Sequence, residues 1–414
     1  MPNHVAGTVP HCYDRYRYPP PISTINHHRR RRDRQQTPRA EFHLFWPSRP
    51  YKADLSILVA GCGTSQAARH ALRWPSARVT GIDVSGLSLR CSEDLKRKYD
   101  LRNLEIHELP IERARELGLR FDLIVCTGVL HHLADPDAGL AALREVLEPD
   151  GAMHLMVYAP YGQAGIYMLQ QFCKRLGIRV ADHEIRDLIT ALRQLPTDHP
   201  LEALLRDAPD LREEAALADA LLHPQDRAYS VPQLLELIER ADLTFRRWVR
   251  QAPYSPRCGV IAQIPQLARL TELSMAAQYA AVELFRGTMV RHSAVVHRHD
   301  NVDEVQPGSF TGDFWMDYIP VRMSDTICVQ DRLPPGAAGV LINQAQTCGD
   351  LLVPLDALEK QMFDAIDGVR TIREIVDHAS QSSQPRLMPD ELGRTFFERL
   401  WWYDHVVFDA SART

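Results

Sequence analysis

Two glycines, followed twenty positions later by an acidic residue, form the pattern in this sequence best suited to binding a ligand. The apolar run Ile57–Ala60 leads into Gly61 and Gly63, where a backbone without Cβ atoms can turn sharply and approach a ligand closely. Asp83 ends a second apolar run, and a carboxylate at this spacing can accept hydrogen bonds from ribose hydroxyls. The stretch therefore predicts a strand, turn, helix and strand that together bind a nucleoside.

The first helical residue after the turn bears on which nucleoside is bound. A dinucleotide fingerprint has a small residue three positions after its second glycine, where the helix packs beside the pyrophosphate. Gln66 occupies that position, and no arginine follows Asp83 closely enough to bind a 2′-phosphate. A nicotinamide-dependent oxidoreductase is therefore an alternative that the sequence disfavours.

The elements around the turn alternate regularly between strands and helices. Apolar runs predict strands at 55–60, 79–83, 104–107, 121–127 and 151–158, and the segments between them predict helices at 65–73, 86–99, 111–117 and 136–147. Connections of this length favour right-handed crossovers, so the fold class is α/β, with a mainly parallel, Rossmann-like sheet and helices on both faces.

The rest of the first domain completes this sheet. Residues 160–229 have only helical patterns and predict a helical insertion after the fifth strand, of the kind that commonly covers a ligand crevice. Strands around Phe245 to Val249 and at Arg291–Arg298 bring the sheet to seven, the last alternating as an antiparallel edge strand does.

Composition suggests further segments on either side of this domain. We expect an N-terminal arm at 1–50, the α/β domain at 51–300, a linker at 301–336 and a small α+β module at 337–414. The arm contains the run RRRRDR, which is either a solvated segment or a patch for phosphate or acid groups. The module reads as three helices and a terminal hairpin, which is typical of a winged-helix-like unit.

Four blocks in the α/β domain resemble class I S-adenosylmethionine-dependent methyltransferases, in particular their type 11 and type 12 domains. They are ILVAGCGTSQ, VTGIDVS, IHELPIE and FDLIVCTGVLHHLADPDAGLAALREVLEPDGAMHLMVYA. The resemblance implies S-adenosylmethionine as cofactor and methyl transfer to an unidentified acceptor, either a small molecule or a peptide or protein. A non-catalytic scaffold that binds the cofactor is a further alternative.

The resemblance also implies which residues bind the cofactor. They are Ala60, Gly61, Cys62, Gly63, Asp83, Val84, Glu108, Leu109, Thr127, Gly128 and Val129. In this scheme Asp83 binds the ribose hydroxyls, while Val84 and Glu108 lie beside the adenine. The chain departs from the family pattern at Val59, where an acid is usual, and at Ser65, where a third glycine is usual.

Candidate catalytic residues follow the fourth and fifth strands. Transfer of a methyl group to a hydroxyl or an ammonium requires removal of a proton, and histidine titrates near neutral pH. His131 and His132 are therefore candidate bases, with a structural role in the cofactor loop as the alternative. Tyr158 and Tyr161 follow the fifth strand, where ligands of α/β sheets bind, and either shape the acceptor pocket or pack there.

Composition disfavours several other partners. The net charge is −5, and no apolar run approaches the roughly 20 residues that span a bilayer, so neither nucleic acid nor a membrane is expected. The eight cysteines include no C-x-x-C pair, which predicts no metal site and fits reduced thiols in a cytoplasm. The words FDAIDGVRTIREI and FFERLWWYDHVVF faintly resemble peptide-binding modules, which would recruit a peptide or protein acceptor.

Overall fold

The computed structural model describes residues 22, 24–25, 37–179, 181–207, 213–300, 310, 312–380 and 389–413. The arginine-rich run of the N-terminal arm lies outside these residues. The described chain forms two units. Unit 1 contains residues 54–245 and 283–299 with the described residues before 26, and unit 2 contains the described residues of 27–53, 246–282 and 300–414.

Unit 1 is built on a seven-stranded sheet with the order β3-β2-β1-β4-β5-β7-β6. The strands are β1 Ser56–Ala60, β2 Arg78–Asp83, β3 Leu104–Glu108, β4 Phe121–Thr127, β5 Leu147–Tyr158, β6 Leu243–Trp248 and β7 Arg291–Arg298. The last three residues of β6 are assigned to unit 2. The strands β1 to β5 pair in parallel, and β7 pairs antiparallel with β5. The expected seven-stranded, mainly parallel sheet is confirmed.

The helices of unit 1 cover this sheet and the edge where its strands end. Helix α1 (Thr37–Phe45) belongs to unit 2, and those of unit 1 are α2 Gln66–Arg73, α3 Gly86–Tyr99, α4 Pro136–Glu145, α5 Ala164–Leu176, α6 Asp182–Leu192, α7 Pro200–Asp207, α8 Glu214–Leu222 and α9 Val231–Arg240. Short 3₁₀ helices lie at Ile111–Leu117 and Leu130–His132. Helices α5 to α8 form the predicted insertion, with their own apolar core around Leu169, Leu201 and Leu217.

The position of β1 fixes where a ligand can bind. Its residues Ile57 to Ala60 are fully buried, because β1 lies between β2 on one side and β4 on the other. The strand order reverses at β1 and β4, so the loops that leave them diverge and open a crevice at the carboxyl ends of the strands.

Two details of the predicted sheet are wrong. The helix expected at 136–147 ends at Glu145, and β5 begins at Leu147 rather than at 151. The strand starts earlier because Leu147 pairs with Phe121. A register shift after Phe121 accommodates the turn residues Pro149–Gly151 within the strand. The strand β7 is not at the edge, because it lies between β5 and β6 and is hydrogen-bonded on both sides.

Unit 2 contains two small sheets and helices from both ends of the chain. Its strands are β8 Ile319–Arg322, β9 Thr326–Val329, β10 Gly339–Asn343, β11 Leu352–Leu355 and β12 Val406–Asp409. Its helices besides α1 are α10 Leu267–Thr271, α11 Met275–Arg286, α12 Ala357–Asp364, α13 Ile372–Ser380 and α14 Pro389–Trp402, of which α11 continues into unit 1. The apolar side chains of α12, α13 and α14 share one core with those of β10 and β12.

The expected boundaries differ from these units. The segment expected as a linker contains β8 and β9, and β12 pairs with β8 rather than forming a terminal hairpin within 337–414. Part of the expected N-terminal arm also belongs to unit 2, since α1 lies beside β12 and Arg39 pairs with Asp409 at 2.9 Å. The three expected helices are present, and β10 and β11 pair antiparallel before them, but the expected terminal hairpin is not formed by the described residues of 337–414.

No helix in the described part of the chain combines the length and the apolar character needed to cross a membrane.

Candidate functional site

A cavity of about 520 Å³ lies in unit 1 at the carboxyl ends of the central strands. Most of the residues expected to bind a cofactor line it, namely Gly61, Cys62, Gly63, Asp83, Val84, Leu109, Thr127, Gly128 and Val129. Ala60 is fully buried at the end of β1 and does not line the cavity. The exposed side chain of Glu108 lies beside Gly86 instead. Both of these assignments remain sequence-based predictions.

The glycine turn is held tightly between β2 and the loop after β4. The N–H groups of Gly61 and Cys62 both donate to the carbonyl of Ile82, at 2.9 Å each. Gly61 has a φ of +70°, and a Cβ atom there would lie 2.3 Å from Cγ2 of Val129. A residue with a side chain is therefore disfavoured at position 61 by both conformation and space.

Asp83 is oriented by the backbone on either side of it. Its Oδ2 accepts a hydrogen bond from the N–H of Gly63 at 2.8 Å, and its Oδ1 accepts one from the N–H of Ser85 at 2.9 Å. Burial raises the pKa of Asp83, and these N–H donors oppose that rise. Each carboxylate oxygen keeps a second lone pair, so Asp83 can still accept hydrogen bonds from hydroxyl groups at the cavity wall.

Gln66 has a role that its size alone did not suggest. Its side-chain amide donates a hydrogen bond to Oγ1 of Thr127, and both residues line the cavity. Gln66 thereby joins the start of α2 to the end of β4. The volume of this side chain disfavours a dinucleotide, but its amide also signals a hydrogen bond that the sequence-based prediction missed.

The two neighbouring histidines occupy different places. His132 lines the cavity, whereas His131 is fully buried and does not line it. The ring of His131 is in tilted contact with those of His132 and Tyr158, with centroids 4.1 Å apart in each pair. Tyr158 also lines the cavity, but Tyr161 is exposed and does not. The structure therefore brings His132 and Tyr158 to the cavity, with His131 behind them.

The backbone of Gln225 fixes the tautomer of His132. Nδ1 of His132 lies 2.9 Å from the carbonyl oxygen of Gln225, and because a carbonyl can only accept, this ring nitrogen carries the proton. The lone pair of the neutral ring is then on Nε2. Burial lowers the pKa of His132 to about 4, with the Gln225 hydrogen bond opposing, so the ring is neutral at pH 7.

The insertion supplies one side of the cavity. Its contribution consists of Gln163, Ile166, Leu204, Ala216, Asp219 and Ala220. Arg291 at the start of β7 lines the cavity as well. The helical patterns predict that the insertion covers the crevice. They do not identify these residues, because no spacing within helical segments indicates which helix face meets a distant strand.

Two groups of buried histidine and aspartate side chains are close enough together to be considered as metal ligands. They are His131, His132 and Asp226, and His132, Asp219 and His223, with ligand atoms within 4.8 Å of one another. The hydrogen bonds of Gln225 leave Nε2 of His132 unprotonated, as in a metal-bound histidine, but do not leave Nε2 of His223 unprotonated. The N–H of Gln225 donates to Nδ1 of His223 at 3.1 Å, which places the proton of the neutral His223 ring on Nε2. Nε2 is the nitrogen that would otherwise coordinate a metal ion. The sequence-based expectation of no metal rested on cysteine spacing and did not consider these residues.

Comparison with known proteins finds a methyltransferase domain in part of the chain. A family model described as a methyltransferase domain matches residues 58–153. An uncharacterized protein of Synechococcus sp. is 32% identical over 264 residues, which are 59% of this chain and 60% of that protein. A malonyl-[acyl-carrier protein] O-methyltransferase of Acetivibrio thermocellus is 32% identical over 103 residues, which are 25% of this chain and 35% of that protein. The chain thus spans between about a third and three fifths of the length of these two curated relatives.

A solved structure shares the fold over most of the chain. PKMT2 from Rickettsia typhi, in complex with AdoHcy, superimposes with a TM-score of 0.61 and 14% sequence identity, covering 90% of this chain and 75% of that chain. At this identity the likeness concerns the fold alone.

Proposed function

Since residues 58–153 form a methyltransferase domain and unit 1 has the class I methyltransferase fold, we propose that the protein transfers a methyl group from S-adenosylmethionine to an acceptor. One observation carries this proposal. The glycine turn and the Asp83 carboxylate border the same cavity as a neutral histidine, His132, so a cofactor site and a group that can accept a proton share one space.

The residues of the cavity fit this cofactor. S-adenosylmethionine supplies an activated methyl group on a sulfonium sulfur. The turn at Gly61 and Gly63 offers close backbone approach, Asp83 offers acceptors for ribose hydroxyls, and the half-exposed Val84 offers an apolar surface for the adenine. The AdoHcy complex of PKMT2 supports the same cofactor class.

The candidate catalytic residues receive different roles in this proposal. His132 takes the proton of the acceptor through Nε2, because the Gln225 carbonyl holds the proton of Nδ1. Tyr158 shapes the acceptor side of the cavity, and His131 packs against both rings and keeps them in place. The acceptor is a small molecule or a peptide or protein. A cytoplasmic location is part of the proposal and is supported by free thiols at the seven cysteines that the structure describes.

Two measurements test the function. Calorimetry should detect binding of S-adenosylmethionine and no binding of NAD⁺ or NADH, and the opposite result would support the oxidoreductase instead. Incubation with a cell lysate and methyl-labelled cofactor should then transfer label to an acceptor fraction. A protein that binds S-adenosylmethionine but labels no fraction would be the cofactor-binding scaffold.

A further inference from the structure

The loop after helix α8, within the helical insertion, contacts the ring of His132. Residues His223 to Asp226 come directly after α8, more than ninety positions beyond His132 in the sequence. The ring of His223 lies against that of His132 with centroids 4.0 Å apart. This loop therefore determines what surrounds His132 on its buried side.

Within this loop Gln225 hydrogen-bonds both histidines through its backbone. Its carbonyl accepts from Nδ1 of His132 at 2.9 Å, and its N–H donates to Nδ1 of His223 at 3.1 Å. A carbonyl cannot donate and an N–H cannot accept, so one peptide residue gives the two neutral rings opposite tautomers. His132 has its lone pair on Nε2, and His223 has its proton there.

Asp226 adds a charge to this arrangement. Its Oδ1 lies 3.7 Å from Nδ1 of His132, and its side chain is buried with 4% of its surface exposed. Its Oδ2 accepts a hydrogen bond from the amide of Gln170 in α5 at 2.8 Å. Among the described residues Oδ1 has no hydrogen-bond partner, so this buried oxygen faces the protonated edge of the His132 ring without being satisfied by another donor.

We propose that Asp226 is a positioning residue for His132. The helical insertion thereby supplies the carboxylate that orients the proton-accepting histidine. The carboxylate and the Gln225 carbonyl together hold the proton on Nδ1, keep Nε2 free, and stabilise the positive charge that the ring acquires when it accepts a proton. This inference rests on the proposed function and identifies the acceptor as a group that carries an exchangeable proton, such as a hydroxyl or an ammonium.

In the proposed step a proton moves to His132 while the methyl group moves to the acceptor. The bond between the acceptor atom and its hydrogen breaks, and the proton passes to Nε2 of His132. The acceptor atom forms a bond to the methyl carbon as the carbon–sulfur bond breaks, and the electron pair of that bond remains on sulfur. His132 later returns its proton to solvent, so Asp226 itself gains no proton during the step.

Nuclear magnetic resonance of the whole chain labelled with ¹⁵N-histidine tests the inference without an acceptor. The ring signals of His132, assigned by comparison with His132→Gln, should show a protonated Nδ1 and an unprotonated Nε2 near neutral pH, and His223 should show the reverse. A His132 ring protonated on Nε2, or one with the shifts of a metal-bound imidazole, would overturn the inference. Since this readout uses the unmodified protein, it does not depend on any variant folding.

The variant Asp226→Asn tests the role of the charge. The protonated Nε2 form of His132 should become detectable, and methyl transfer into the lysate fraction should fall about tenfold, a part of the roughly 10²–10⁴-fold that a general base contributes. Binding of S-adenosylmethionine should be unchanged. Asp187→Asn, which changes an exposed carboxylate in helix α6 of the same insertion, should change neither the tautomer nor the methyl transfer. Wild-type transfer by Asp226→Asn would reject the positioning role. Absence of S-adenosylmethionine binding in the wild type would instead reject the proposed function, whatever the tautomer of His132.

Discussion

The two units of the molecule hold their buried carboxylates in different ways. In unit 2 the carboxylates are paired with arginine, as Asp404 is with Arg247 at 3.3 Å and Asp325 is with Arg250 at 2.7 Å. At the cavity of unit 1, Asp83 is held by backbone N–H groups, and Asp226 is held by an amide and faces a neutral histidine.

This difference distinguishes carboxylates that stabilise the fold from carboxylates that remain available to a ligand or a reaction. A carboxylate paired with arginine is neutralised and has most of its hydrogen-bonding capacity used within the fold. A carboxylate held by N–H groups keeps its negative charge and lone pairs available for a ligand or for a ring that becomes charged. We therefore expect changes in unit 2 to affect mainly the stability of the fold, and changes at the cavity to affect mainly ligand binding and reaction.

The largest expected effect is on the stability of unit 2. Asp404 is fully buried, and besides Arg247 its carboxylate accepts hydrogen bonds from the N–H of Ala252 and the amide of Gln346, at 3.0 Å each. Asp404→Ala leaves the arginine buried without this partner and should lower the free energy of unfolding by about 3–5 kcal/mol. Urea denaturation measures the loss, and a change below about 1 kcal/mol would mean that the pair does not stabilise the unit.

A change at the glycine turn should have a smaller effect and can be partly reversed. Gly61→Ala places a Cβ 2.3 Å from Cγ2 of Val129 at a φ of +70°, which should cost about 2–3 kcal/mol of folding free energy. The double variant Gly61→Ala with Val129→Ala removes the clash and should recover part of this loss in the same denaturation measurement. Additive losses in the double variant would show that the contact with Val129 is not what requires glycine.

Removal of the cavity carboxylate should affect binding rather than folding. Asp83→Ala removes a charged acceptor and should weaken S-adenosylmethionine binding by about 1.5–3 kcal/mol, measured by calorimetry. The matched control Asp94→Ala changes an exposed carboxylate of α3 and should leave the affinity unchanged. Unchanged affinity in Asp83→Ala would place ribose recognition at another residue and would weaken the contrast between the units.

The smallest expected effect concerns the acid stability of unit 2. Burial raises the pKa of Asp409, but hydrogen bonds from His43 and Ser411 outweigh this and hold the pKa well below its ordinary value. A carboxylate with a lowered pKa in the fold contributes stability above its ordinary pKa of about 4, and this contribution is lost as the pH falls further toward the folded value. Asp409→Asn should therefore cost about 1–2 kcal/mol at neutral pH and less in acid. Urea midpoints between neutral and acid pH measure this, and a pH-independent difference would contradict the assignment.

Much of the cofactor side of unit 1 could be predicted from the sequence because its determinants are local. The buried run before Gly61 specifies a central strand, the glycines specify a turn, and Asp83 ends the neighbouring strand, so register alone brings these residues to one edge. The helical pattern of the insertion is also set by neighbouring residues, so it could be predicted as well.

The surroundings of His132 were decided by the tertiary structure alone. Strand β5 begins before the turn residues that predicted a later start. Its pairing with β4 accommodates these residues in a register shift. The partners of His132 come from the loop after helix α8, and nothing in the spacing of Gln225 and Asp226 relates them to a histidine more than ninety residues earlier. Strand and helix patterns are encoded by neighbouring residues, whereas the tautomer and surroundings of a buried ring depend on contacts that exist only once the chain has folded.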